Sequence, residues 1–186
     1  VGGGIMVTAS HNPKGYNGMK MVKSGSRPMS GDDDLKTIHD QVLILRDSGE
    51  VIAPAQTIGK ISIEKDKLSY ISHILGYVNS KNLRPLKIVV NPGNGPAGQI
   101  IKLLESVLPC EFIYIHEVPD GNFPNGVPNP MIVENRVVTS DAVIANEADF
   151  GIAWDGDFDR CFLFDEKGQF IDGYYLVGLL AQSFLS

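Results

Sequence analysis

In the run Asp155-Gly156-Asp157-Phe158-Asp159-Arg160, three carboxylates alternate with small or apolar residues and a guanidinium closes the series. Carboxylates so close repel one another and gain most from a shared cation. An all-oxygen set favours Mg²⁺, Mn²⁺ or Ca²⁺ over zinc, whose sites usually include Cys or His. Three protein ligands leave an octahedron unfilled, so such a metal would also hold water, substrate or another protein oxygen. Two other readings stand beside this one. An EF-hand would draw on Asp155, Asp157 and Asp159 with Glu166 at the twelfth position, but Arg160 stands where that loop needs Gly. A solvated acidic turn closing a hairpin needs no ligand at all.

The second candidate is Thr8-Ala9-Ser10-His11-Asn12-Pro13, a serine delivered to a sharp turn. Pro13 prevents a strand from simply continuing, and Gly15 permits unusual backbone angles. Ser, His, Asn and Pro are also ordinary turn formers. A nucleophilic Ser10 with His11 as its base is one option, although neighbours in sequence rarely point at one another and no Gly-x-Ser-x-Gly elbow is present. A serine beside a divalent metal has another: it can carry a phosphoryl group whose oxygen completes the coordination shell.

The elements that must position these groups follow from hydrophobic periodicity. Phe150-Gly151-Ile152-Ala153-Trp154 and Cys161-Phe162-Leu163-Phe164 read as buried strands on either side of the acidic loop, which places the carboxylates at a strand end. A first piece runs to residue 47. It has a strand near Gly4–Val7, a short strand at 19–22 and a helix capped by Ser30 or Asp32, with Leu35, Ile38, Val42 and Leu45 on one face. Residues 48–64 read as a linker. The second piece, 65–186, alternates a helix at 65–78, a strand at 87–90, a helix at 99–108, a strand at 111–115, a helix at 133–146, a strand at 149–153 and an apolar helix from Leu176 to Ser186. The expectation is an α/β fold with mixed, mostly parallel sheets flanked by helices.

Between the strand at 87–90 and the helix at 99–108, Asn91 to Gly98 reads as a structural turn rather than a phosphate loop, since it lacks a Walker pattern. Phe162, Phe164, Phe170, Tyr174 and Tyr175 read as core, and His39, His73 and His116 lack ligand-like spacing. The 186 residues carry a formal net charge of -6, which argues against a nucleic-acid partner. No stretch is long and apolar enough for a membrane span, and no basic segment precedes the first apolar one. Cys110 and Cys161 read as reduced core thiols of a cytoplasmic protein. The first residues, with no initiator Met, and the apolar last ones read as parts of something longer.

Thr8–Pro13, the following Gly15-Tyr16-Asn17-Gly18-Met19-Lys20, the 155–160 loop, Asn91–Gly98 and Asp120-Gly121-Asn122-Phe123-Pro124-Asn125 occur together in this order. In that order they resemble the α-D-phosphohexomutases over essentially the whole chain. The resemblance implies two consecutive domains of that family, the first incomplete, and a Mg²⁺ ion held by Asp155, Asp157, Asp159 and an oxygen of phosphorylated Ser10. It also implies catalytic roles for Ser10, Lys20, Arg160 and His11: Lys20 helping proton transfer at a sugar hydroxyl, Arg160 holding the phosphoryl group and His11 contacting phosphate. The implied partner is a hexose phosphate, converted through a hexose 1,6-bisphosphate. Within the family the chain is most similar to bacterial members that interconvert mannose 6-phosphate and mannose 1-phosphate for GDP-mannose and surface polysaccharide. Mutases for glucose or glucosamine phosphates share these loops, and a noncatalytic metal- or carbohydrate-binding module would keep the fold. Domains that read the sugar are absent, so the resemblance implies that these residues alone are inactive.

Overall fold

A computed structural model describes residues 2–54, 56–79 and 82–185. Ala55, within the expected linker, and Ser186, at the expected end of the last helix, lie outside the described residues. Contacts divide the chain into two units. One holds the residues up to Thr8 together with Asn17–Lys65, and the other holds Ala9–Tyr16 together with the chain from Asp66 onward.

In the first unit, β1 (Gly3–Val7), β2 (Met19–Lys23) and β3 (Arg27–Pro28) form an antiparallel sheet in that order. Helix α1 (Lys36–Ser48) follows a wide turn at Gly31–Leu35. Ser30 caps that turn as the sequence predicts: its Oγ accepts from Asp33 N at 3.3 Å, and Asp34 Oδ2 accepts from Ser30 N at 3.1 Å. Lys23 Nζ, on β2, donates to the same carboxylate at 2.7 Å. None of the described residues up to Lys65 is buried. The described residues of 49–67 carry no regular element, in keeping with the Gly and Pro spread through them.

The second unit holds a five-stranded sheet in the order β5-β4-β6-β7-β8. Here β4 is Lys87–Asn91, β5 Glu111–Tyr114, β6 Phe150–Trp154, β7 Cys161–Phe164 and β8 Phe170–Ile171. The helices are α2 (Leu68–Leu75), α3 (Ala97–Glu105), α4 (Val137–Ala145) and α5 (Gly173–Leu185). Parallel pairing is confined to β5-β4-β6, and β7 and β8 run antiparallel. Loop length decides this. Helical crossovers join the parallel strands, whereas the short connections after β6 and β7 leave no room for one. Strand β4, central and flanked on both sides, is buried from Ile88 to Asn91, which explains its unbroken apolar run. Val89, Val143, Ala148, Ala153 and Phe164 form the core, with Ile113, Ile115, Ala142 and Phe170 packed against it. At the end of β4, Asn91 Nδ2 donates to Thr139 Oγ1 of α4 at 2.9 Å, and Asn91 Oδ1 accepts from Gly93 N. That buried pair ties strand, turn and helix together.

Several expectations need correction. Helix α2 is shorter than 65–78, because Asp66 Oδ1 accepts from Leu68 N at 2.7 Å and starts the helix there, while Gly76 closes it. Tyr174 and Tyr175 are exposed at 66% and 64%, so only Phe164 of the aromatic set is fully buried. Neither thiol is a core group: Cys161 is exposed and Cys110 is half-buried. Cys161 opens β7, where the strand has only begun to enter the sheet.

Candidate active site

The loop between β6 and β7 turns within six residues, and Trp154 still pairs with Cys161 across its base. Asp155 N donates to Arg160 O at 3.4 Å, and Phe158 N donates to Asp155 O at 3.1 Å. Flanking strands rather than helices remove the EF-hand reading. The backbone of Phe158, between two of the carboxylates, takes a φ of +47°, a left-handed conformation that costs energy for a bulky residue. The turn brings one carboxylate oxygen from each of Asp155, Asp157 and Asp159 within 4.8 Å of the others.

The three carboxylates differ in exposure, and this removes the reading of a solvated turn. Asp155 is fully buried, Asp157 Oδ1 is shielded from solvent, and Asp159 remains half-exposed. A buried carboxylate is tolerated only with partners that compensate lost hydration. Asp155 Oδ1 accepts from Arg160 N at 3.2 Å. Asp155 Oδ2 accepts from Arg160 Nε at 2.9 Å, from Arg160 Nη2, and from Ser10 Oγ at 3.1 Å. Arg160 Nε also lies 3.5 Å from Asp159 Oδ1. The sequence offered Arg160 either an acidic neighbour or a phosphoryl group; here its guanidinium pairs with Asp155 and its Nη2 reaches Ser10 Oγ at 3.2 Å.

Ser10 arrives on the Ala9–Tyr16 loop, which packs with the second unit. Asn12 N donates to Ala9 O at 2.9 Å and Tyr16 N to Pro13 O at 3.2 Å, two successive turns that reverse the chain. Ser10 itself has a φ of +52°. That curl gathers neighbouring side chains: His11 Nδ1 lies 3.2 Å from Ser10 Oγ and 2.6 Å from Arg160 Nη2. The sequence expectation that adjacent Ser and His point apart is therefore overturned, and the cause is the left-handed serine. A guanidinium can only donate, so Nδ1 accepts and the imidazole proton resides on Nε2. His11 thus holds the guanidinium.

Two glycines set the spacing of the site. A Cβ on Gly156 would fall 2.4 Å from Ser10 O, and one on Gly95 would fall 2.9 Å from Gly156 O. The serine loop, the acidic loop and the turn after β4 are stacked backbone on backbone, which only residues without a side chain allow. Asn91–Gly98 is structural for this reason. The part sequence reasoning missed is that Gly95 and Phe123 belong to the site's support, the Phe123 ring lying 3.7 Å from the position of a Gly156 Cβ. The signal was the glycine content of both turns.

Ser10, His11, Asp155 and Arg160 are joined by direct contacts, with Asp157 and Asp159 completing the acidic group. Lys20 belongs to the first unit, exposed on β2 and in register with Met6. The donor set fits a hard divalent cation. It is all oxygen, three carboxylates converge, a hydroxyl stands beside them, and no Cys or His belongs to the cluster among the described residues.

Comparison with known proteins matches two stretches of this chain to family models. Residues 1–44 match the family model for phosphoglucomutase/phosphomannomutase alpha/beta/alpha domain I, and residues 68–168 match the model for domain II. A protein of Xanthomonas campestris pv. campestris described as phosphohexose mutases is 54% identical over 184 residues, covering 99% of this chain and 40% of that protein. A phosphomannomutase of Salmonella typhimurium is 54% identical over 192 residues, covering 100% and 41%. Among solved structures, a phosphoglucomutase/phosphomannomutase family protein from Burkholderia thailandensis superposes with a TM-score of 0.80 at 33% identity, covering 97% of this chain and 37% of that one. The chain therefore spans about 40% of the length of these curated relatives.

Proposed function

The chain belongs to the phosphoglucomutase/phosphomannomutase family, and from that premise we propose that the whole protein interconverts mannose 6-phosphate and mannose 1-phosphate in the cytoplasm through phosphorylated Ser10. The observation that carries this reading is the placement of Ser10 Oγ, 3.1 Å from buried Asp155 and 3.2 Å from Arg160. A serine hydroxyl aimed at a carboxylate cluster and a guanidinium suits a group that repeatedly gains and loses a dianionic phosphoryl group. The choice of mannose rests on relatives named phosphomannomutase, and it makes GDP-mannose and surface polysaccharide the expected destinations.

In the forward half-reaction the bond from phosphorus to Ser10 Oγ breaks as a bond from phosphorus to the free sugar hydroxyl oxygen forms. The hydroxyl proton leaves, with Lys20 as its proposed acceptor or relay, and Ser10 Oγ ends protonated. The hexose 1,6-bisphosphate then turns around and returns its other phosphoryl group to Ser10, so that nothing is consumed. Arg160 is suited to hold the transferring group because its fork can bind two phosphoryl oxygens at once. Nδ1 of His11 holds one arm of that fork, Nη2, at 2.6 Å. Magnesium, held by Asp155, Asp157 and Asp159 with phosphorylated Ser10, would supply charge neutralisation at the serine oxygen.

Peptide mass spectrometry of the whole protein, with Mg²⁺ and a hexose 1,6-bisphosphate, tests the proposal. A phosphoryl mass on Ser10 that disappears on adding mannose 6-phosphate is expected. An unmodified Ser10 under all conditions would point to a noncatalytic metal- or carbohydrate-binding module. Faster discharge by glucose or glucosamine phosphates would reassign the sugar.

A further inference from the structure

The Ala9–Tyr16 loop is held at Ser10 by the acidic loop, but a loop fixed at one point can still swing about it. A second attachment lies four residues on. Lys14 Nζ donates to Asn122 Oδ1 at 2.6 Å. Asn122 is not a loose acceptor, because Asp120 Oδ1 accepts from both its backbone N, at 2.8 Å, and its side-chain Nδ2, at 2.9 Å. Asp120 is seated in turn: its N donates to Asn94 O at 2.9 Å. Asn94 is buried at 7% exposure, donates from Nδ2 to Val118 O and accepts from Asn125 Nδ2 at 2.9 Å. The next residue, Gly95, is the one that packs on Gly156 O, which in turn sits under Ser10. The same short turn after β4 thus supports the serine loop at both ends, through Gly95 and Gly156 at Ser10 and through Asn94, Asp120 and Asn122 at Lys14.

We propose that Lys14, Asn122 and Asp120 form a latch that fixes the orientation of the Ser10 loop, with Lys14 and Asn122 acting as positioning residues for the serine hydroxyl. The long, rotamer-rich lysine stem is ordered only because the amide oxygen facing it is pre-set by Asp120, so the latch needs all three members. Ser10 occupies a left-handed backbone conformation that relaxes unless its surroundings over-determine it. The latch supplies the second constraint that keeps it there. Significance for phosphoryl transfer rests on the reading of Ser10 given above; the geometry of the latch does not.

Hydrogen exchange on this chain separates the two. The amides of Asn12 and Tyr16 report on the loop through their bonds to Ala9 O and Pro13 O, while those of Val89, Val90 and Ile152 report on the sheet. Lys14→Met and Asn122→Ala each accelerate exchange at Asn12 and Tyr16 roughly fivefold and leave the sheet amides unchanged. The double variant accelerates exchange no more than either single one, because both remove the same contact. Lys14→Arg, which keeps a donor, restores most of the protection. Unchanged loop exchange in both single variants overturns the latch, and so does an equal acceleration of loop and sheet, or full additivity in the double variant. None of these readouts needs a phosphorylated serine or a turning-over enzyme, so a failed mutase assay leaves them interpretable.

Discussion

The two segments that flank Ser10 belong to one unit, and Ser10 itself belongs to the other. Strands β1 and β2 lie in a unit with no buried residue among those described, with Ile5, Val7 and Met19 all more than 60% exposed. The loop between them is counted with a unit whose core includes Val89, Val143 and Phe164 at 0% exposure. Backbone connectivity and mechanical support therefore come from different places. A reacting group must be held to within a fraction of an ångström, and the dense sheet carries the carboxylates, the guanidinium and the loop that presents Ser10.

That contrast breaks most visibly in the core. Phe164 pairs across to Gly151 on β6 and packs edge-on to Phe170, with ring centroids 5.6 Å apart. Phe164→Ala costs about 3–5 kcal/mol of stability, whereas Ile5→Ala, at an exposed position of β1, stays within about 0.5 kcal/mol. Urea unfolding of this chain followed by tryptophan fluorescence measures both, since the one Trp, at position 154, sits on β6 beside the acidic loop. Equal effects would mean that the first unit has as much packed core as the second.

A second comparison lies within the site, between buried Asp155 and half-exposed Asp159. Asp155→Asn keeps the size but removes the charge that answers Arg160, and reduces Mn²⁺ affinity by more than about tenfold in a titration followed by electron paramagnetic resonance. Asp159→Asn produces a smaller loss, because water already reaches that carboxylate and reduces its share of the field. The reverse order would show that burial does not rank the three carboxylates as cation donors.

Gly156→Ala sharpens the point about support. The added methyl meets Ser10 O, a backbone atom that cannot rotate away, so one of the two loops must shift. The expected cost is about 1–3 kcal/mol, and Asn12 amide exchange should rise with it. A variant with wild-type stability and exchange would mean that the stacked loops are looser than their separation implies.

How far these relations were legible beforehand follows from the range of the forces involved. The acidic loop was placed correctly between two strands because apolar runs of strand length flank it, a local signal. The Ser30 cap and the structural role of Asn91–Gly98 were local too. The convergence of Ser10 with Asp155, 145 positions apart, came only through resemblance to a family, since no periodicity encodes a contact between distant loops. The Ser10–His11 contact escapes a sequence reading because it depends on one left-handed residue that side-chain type does not announce. Lys14 is not legible for a related reason: a lysine in a polar turn looks like any solvated lysine until Asn122 is placed opposite it. Tyr174 and Tyr175 read as core because clustered aromatic side chains usually are, although α5 leaves both exposed.

The weakest expected effect tests whether the second unit's advantage is uniform. His116 follows β5, has a φ of +49°, and its carbonyl accepts from Asn94 N at 2.8 Å. His116 lines a cavity of about 290 Å³ with Trp154, Asn135 and Glu134. Burial holds its pKa below the ordinary histidine value. A histidine with a depressed folded pKa binds fewer protons folded than unfolded, so its neutral form supports the fold above the unfolded pKa of about 6.5 and that support is lost as the pH falls below it. His116 is only part-buried, which keeps the effect small. Asparagine tolerates the left-handed backbone and does not titrate, so His116→Asn should flatten the fall in melting temperature between pH 7.5 and 5.5 by a degree or two, roughly. An unchanged slope would mean that the cavity is wet enough to hydrate the imidazolium, and that the unit is rigid around Ser10 without being dry throughout.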